Sequence, residues 1–172
     1  MNILITGGSA SGKSQYAERL VSALSGRRIY IATMRPWDDE CLARIEKHRR
    51  QRAGLGFETV EHYGDLRDLR LPFRGTVLLE CMGNLTANVL YGPDAPEHPF
   101  EAVTEGLQSL TKQCENLLVV TNEVFSDGIG YDESTTAYLR LLARLNGWMG
   151  QTFDAVTEVV CGIPLAVKGE LL

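Results

Sequence analysis

Short apolar runs alternate with stretches of helical periodicity along the chain. Asn2–Thr6 is an apolar run ending at glycines and reads as a strand. Lys13–Leu24 reads as a helix, with Tyr16, Ala17, Leu20 and Leu24 on one stripe. Arg28–Thr33 (RIYIAT) is the second strand. Asp38–Arg52 is a helix opened by Asp38 or Asp39, with Cys41, Leu42, Ile45 and Arg49 at helical spacing. Phe57–Glu61 is a short strand, and Thr76–Glu80 (TVLLE) is a continuous apolar strand buried on both faces. Gly83–Leu90 is a short helix. Tyr91–Pro99 holds Pro93, Pro96 and Pro99 and reads as a loop. A helix at Phe100–Cys114 leads to a second buried strand, Leu117–Thr121 (LLVVT). Asn122–Glu133 is a loop rich in Asp and Gly, and Ser134–Thr152 is a long helix with Ser134 as N-cap. Val156–Cys161 and Leu165–Lys168 are two last strands around Gly162-Ile163-Pro164. This alternation predicts an α/β architecture with a largely parallel sheet covered on both faces. There is no internal repeat, low-complexity tract or linker, so residues 1–172 read as one domain.

The turn after the first strand carries chemistry. Gly7-Gly8-Ser9-Ala10-Ser11-Gly12-Lys13-Ser14 matches G-x-x-x-x-G-K-[ST] in full, between a predicted strand and a predicted helix. Glycines let backbone N–H groups close on phosphate oxygens, because no Cβ blocks the approach. The following helix presents its N-terminal donors to the anion. Lys13 supplies a point charge near the β- and γ-phosphates, and the Ser14 hydroxyl suits Mg²⁺, a hard oxygen-seeking cation. The eight residues therefore predict a nucleotide-binding enzyme with a three-layer P-loop NTPase fold.

Enzymes of this kind need a second acid at the C-terminal edge of the sheet, to hold Mg²⁺ or to accept a proton. Glu80, ending TVLLE, is the first candidate and Glu123, just past LLVVT, the second; Asp127 and Asp132 are weaker. The bland alternative for each is a solvated strand-end carboxylate. Of the three histidines, His62 and His98 carry no motif. His48 lies in the run Arg44-Ile45-Glu46-Lys47-His48-Arg49-Arg50-Gln51-Arg52. Neighbouring cations favour its neutral, nucleophilic ring, which could attack a nucleotide α-phosphate. On composition alone, a solvated basic helix end explains this run better.

Composition narrows the class further. A net charge of −5 argues against a nucleic-acid footprint. Cys41, Cys81, Cys114 and Cys161 form no CxxC pair and read as small buried hydrophobes in a reducing compartment. The first residues carry no basic n-region, and no stretch reaches the roughly 20 apolar residues that span a bilayer. The cytoplasm is the expected location, without membrane insertion.

Taken as a set, these residues resemble the bifunctional adenosylcobinamide kinase/adenosylcobinamide-phosphate guanylyltransferases of cobalamin biosynthesis. The resemblance rests on NILITGGSASGKSQYAE at the start, YIAT at 30–33, DDECLARIEKHR at 38–49, LLECMGNLTAN at 78–88, VVTNEV at 119–124 and CGIPLAVKG at 161–169. It covers nearly the whole chain. It implies phosphorylation of adenosylcobinamide by ATP or GTP, then transfer of GMP from GTP to the new phosphate, with Mg²⁺ on Ser14 and Glu80. It implies that His48 carries the guanylyl group. Thr33, Met34 and Arg35 match a nucleotide-contacting turn, and Arg49, Arg50, Gln51, Arg52 and Glu61 look like further nucleotide contacts. A homotrimer is also implied. The chain departs from the family at Phe125–Asp132. It departs again in the long helix, where Asn146 survives from a D-x-x-G-x-x-N-Q pattern but Arg140, Ala143 and Gly147 stand at other places. Two other readings remain open at the sequence level: a P-loop kinase of another small hydroxyl compound, and a non-catalytic nucleotide-dependent switch.

Overall fold

Alternate residues of each central strand point to opposite sides of the sheet, and the sequence supplies apolar side chains on both. The strands are β1 (Asn2–Thr6), β2 (Arg28–Ala32), β3 (Phe57–Glu61), β4 (Thr76–Glu80), β5 (Asn116–Val120), β6 (Ala155–Val160) and β7 (Ile163–Lys168). In the computed structural model, which describes residues 1–125 and 130–171, they form one sheet ordered β3-β2-β4-β5-β1-β6-β7. All neighbours pair in parallel except β6 and β7. This is the mostly parallel α/β sheet that the alternating pattern predicts, with β7 antiparallel at its edge.

Ile3, Ile5, Leu78, Leu118 and Val120 bury on one face against Tyr16, Ala17, Leu20 and Val21 of helix α1 (Lys13–Ala23). Leu4, Val77, Leu79, Leu117 and Val119 bury on the other. There they meet α3 (Met82–Tyr91), α4 (Pro99–Gln113) and α5 (Glu133–Thr152) through residues such as Leu85, Leu107 and Leu145. Helix α2 (Asp39–Arg52) behaves differently: Arg52 is its only buried residue. Asp38 caps it by accepting from Cys41 N–H at 2.7 Å, and Arg49, Arg50 and Arg52 in the last turn complement the helix dipole.

The sheet positions the site through register. Ala32 pairs with Glu80, Glu80 with Val120, and Val120 with Ile5, so the C-terminal ends of β2, β4, β5 and β1 form one row. Ligands of open α/β sheets gather along such an edge.

Several details differ from the sequence expectation. Asp132, not Ser134, caps α5: its carboxylate accepts from Thr135 N–H at 2.7 Å, and the helix begins at Glu133. A turn of 3-10 helix at Leu66–Asp68 is new; three residues are too few to show periodicity. Pro99 opens α4 instead of closing a loop, because the first helical position needs no N–H. Ile163 and Pro164 belong to β7, an edge strand where a missing donor is tolerated. Cys114 is buried and Cys41 and Cys81 are half-buried, but Cys161 is exposed. It sits at the tip of the β6–β7 hairpin with a φ of 50°, where no neighbouring layer covers it.

Candidate active site

A cavity of about 520 Å³ opens at the sheet edge, lined along one side by Ser9 to Gln15. The phosphate loop has the shape its glycines predict. Gly12 takes a φ of 93° and caps α1, a conformation that L side chains rarely adopt. A Cβ on Gly7 would stand 2.5 Å from Val159 O and 2.7 Å from Ser11 Oγ. The β6–β7 hairpin backs the loop, with Gly162 N donating to Ser11 O at 2.8 Å. Lys13 is only 8% exposed and its Nζ donates to Gly8 O at 2.9 Å. Burial pulls its ammonium below the usual value, while Cys81 and Glu80 act in the opposite direction. Ser11 Oγ is buried without a hydrogen-bond partner. A buried ammonium and an unused hydroxyl in a ring of amides form a cradle for an anion.

Glu80 reaches this cradle from the end of β4. Its Oε1 accepts from the Ser14 hydroxyl and its Oε2 from Tyr30 OH at 3.3 Å. Burial and the neighbouring Glu80 carboxylate push the Tyr30 phenol far up. Two hard oxygen donors, Ser14 Oγ and Glu80 Oε1, thus face each other beside the loop, a donor set that suits Mg²⁺. Among the described residues no group of three or more His, Cys, Asp or Glu forms a dedicated metal cage.

Helix α2 forms the opposite wall. Arg44, Lys47, His48, Gln51 and Arg52 line the cavity. Their spacing of three and four residues puts them on one helical face. His48 Nδ1 is buried without a partner among the described residues. Its pKa lies below the ordinary value chiefly because of burial. Glu80 opposes that shift, and Arg52, Arg44 and Lys47 reinforce it. Desolvation, ahead of the cationic run, is thus the leading reason that the ring favours its neutral form.

The structure sorts the remaining sequence candidates. Met34, Gln51 and Arg52 line the cavity with the phosphate loop. Thr33 is fully buried: its Oγ1 donates to Cys81 O at 2.9 Å and its carbonyl accepts from Asn88 Nδ2 at 2.8 Å, which ties β2 to α3. Arg35 turns toward the Trp37 and Tyr63 rings and Asp94. Arg49 pairs with Glu61 at 2.6 Å and Arg50 with Glu46 at 2.9 Å, both at the surface. Gly7 and Gly8 are not among the cavity-lining residues, and Gly7 O accepts from Glu123 N–H at 3.1 Å. Glu123 Oε1 accepts from Phe125 N–H at 3.1 Å, and Asp132 serves as a helix cap. Asp127 lies outside the described residues. His62 Nε2 bonds Asp65 O, and His98 is exposed before α4. Tyr30, Asn84 and Asn122 are lining residues that sequence reasoning missed. Arg44 and Lys47 were missed too, although their helical spacing to His48 was readable.

Comparison with known proteins decides the family. The family model for cobinamide kinase / cobinamide phosphate guanyltransferase (CobU) matches residues 3–167. The chain belongs to this family.

The Bifunctional adenosylcobalamin biosynthesis protein CobU of Escherichia coli K12 is 35% identical, over 98% of this chain and all of the relative. The protein of the same name from Salmonella typhimurium is 30% identical over the same shares. The Bifunctional adenosylcobalamin biosynthesis protein CobP of Pseudomonas aeruginosa is 31% identical across the full length of both chains. As a member of the cobinamide kinase / cobinamide phosphate guanyltransferase family, the protein is an enzyme. Arg140, Ala143 and Gly147 are exposed on α5. Asn146, which survives, accepts from Thr121 Oγ1 at 2.7 Å and donates to Asn122 O at 3.2 Å, holding the chain where it leaves β5.

Proposed function

We propose that a single domain spanning the chain phosphorylates the aminopropanol hydroxyl of adenosylcobinamide with ATP or GTP, then transfers GMP from GTP to that phosphate through His48. The observation that carries this reading is that His48, Lys13, Ser14 and Glu80 line one cavity. In the first step the hydroxyl oxygen attacks the γ-phosphorus, the bond to the β-phosphate oxygen breaks, and Glu80 accepts the hydroxyl proton. Lys13 and the loop amides hold the charge that builds on the phosphate oxygens. Mg²⁺, held by Ser14 and Glu80, would neutralise phosphate charge when bound.

In the second step the neutral His48 ring attacks the α-phosphorus of GTP and pyrophosphate leaves. The adenosylcobinamide phosphate oxygen then attacks the same phosphorus, the N–P bond breaks, and free His48 and adenosylcobinamide-GDP result. Arg44, Lys47 and Arg52 stand beside His48 and suit the phosphate oxygens. The reading includes a homotrimer. Ile163, Leu165 and Val167 support a subunit contact, because they form an exposed apolar row on edge strand β7. It also includes a cytoplasmic location; no helix among the described residues is long and apolar enough to cross a membrane.

Incubation with α-labelled GTP tests the covalent step. The protein should acquire acid-labile, alkali-stable label that His48→Ala lacks, while that variant keeps its kinase activity. Product formation without any labelled protein would remove His48 from the mechanism.

A further inference from the structure

Helix α2 carries His48 but has little apolar surface to hold it down. Its one buried residue, Arg52, lies a single helical turn beyond His48 on the same face. The Arg52 guanidinium lies 3.3 Å over the Tyr30 ring. Stacking occupies its flat face and leaves its N–H edge in need of acceptors. Arg52 is 7% exposed, and its Nη1 is buried without a hydrogen-bond partner among the described residues.

Glu18, the only acid of α1, is in the same condition. It is 7% exposed and its Oε1 has no partner among the described residues. It does not line the phosphate cavity, and none of the steps above uses it. It lines a neighbouring cavity of about 420 Å³ with Gln15, Arg19, Ser22 and Leu55, and Leu55 lies just past the end of α2. Burial raises the Glu18 carboxyl to about 7; Glu80 on β4 acts in the same direction and Arg52 on α2 opposes it. A buried carboxylate oxygen on α1 and a buried guanidinium nitrogen on the last turn of α2, each without a partner among the described residues, lie within reach of each other's field.

We propose that Glu18 is a positioning residue for nucleotidyl transfer: it attracts Arg52 toward α1 and so seats the last turn of α2 with His48 facing the nucleotide. The inference rests on His48 being the nucleophile. Phosphorylation of the hydroxyl relies on the loop, Lys13 and Glu80, which belong to other elements. Loss of the Glu18 charge therefore acts on the two reactions unequally. In-line attack is intolerant of displacement, and a misplacement of about 1 Å costs on the order of 100-fold.

The test uses the full-length protein at pH 8 as wild type, E18Q, E18D, R52Q and E18Q/R52Q. Two rates are measured: labelling of the protein by α-labelled GTP, and ATP-dependent phosphorylation of adenosylcobinamide. E18Q should label at least about tenfold more slowly while phosphorylation falls by less than about threefold. E18D, which keeps the charge, should recover part of the labelling rate. The double variant should be no slower than R52Q, because Glu18 acts through Arg52. Labelling of E18Q at the wild-type rate, equal loss of both activities, or fully multiplying effects in the double variant would each overturn the proposal. If wild-type protein turns over without label, the covalent reading fails first and takes this one with it.

Discussion

Replacing Glu18 by glutamine removes a buried ionisable group with almost no change of shape, and its effect on stability follows from one titration. The fold holds this carboxyl at about 7, against an ordinary 4.5. At about 1.4 kcal/mol per pH unit, ionised Glu18 costs the folded state about 3 kcal/mol above neutrality. The folded protein binds this proton more tightly than the unfolded chain does. The contribution is therefore full below the unfolded value, declines from about pH 4.5 to about pH 7, and is lost above that. Glutamine has no proton to lose. E18Q should match wild type near pH 4.5 and exceed it at pH 8 by up to about 3 kcal/mol, or about 6–12 °C in Tm for a chain of this size. Urea unfolding at several pH values, followed by tryptophan fluorescence, measures the difference. Lower stability of E18Q at pH 8, or a difference that does not vary with pH, would refute the assigned cause. Combined with slower guanylylation, the gain would mark a residue retained for chemistry at the expense of stability.

Three further outcomes follow from the site and the core. Lys13→Ala should keep its melting temperature but lose roughly two to three orders of magnitude in turnover of both reactions, the scale of one preorganised charge partner; near-normal turnover would contradict the phosphate-loop assignment. Because burial holds His48 below its ordinary value, the ring itself costs no labelling rate between pH 8 and neutrality. Wild-type labelling should begin to fall near pH 7, where Glu18 takes up its proton, whereas E18Q labelling should stay flat to neutrality and fall only in acid. An inflection above pH 7 in E18Q would place the nucleophile elsewhere. Gly106→Ala should lower stability by about 1–3 kcal/mol in urea unfolding, because the new methyl overlaps Leu66 Cβ and lies 3.0 Å from the Leu66 carbonyl carbon. Its labelling rate per folded molecule should be unchanged.

Local rules made much of this protein readable without coordinates. The eight-residue phosphate loop was legible because its chemistry is set by neighbours in sequence: glycines for amide access, a lysine and a serine at the head of a helix. The doubly covered sheet was legible because TVLLE and LLVVT are apolar at every pleat position. The family resemblance, not the basic run, points to His48 as chemistry, since the run alone reads better as a solvated helix end. What stayed hidden depends on which surfaces meet. Arg49, Arg50, Gln51 and Arg52 are consecutive and polar, yet two of them pair at the surface while Gln51 and Arg52 turn into the cavity. Their directions follow from how α2 sits over β2, which no spacing within α2 specifies. Glu18 belongs to no sequence motif, and the charges that act on it, Arg52 and Glu80, stand some 30 and 60 residues away along the chain. Asp132 and Ser134 both satisfy the cap rule, and only backbone geometry chose between them. Chain-local preferences therefore determined the elements and the anion cradle. Burial and charge, summed over residues distant in sequence, determined which side chains titrate, pair and face the substrate.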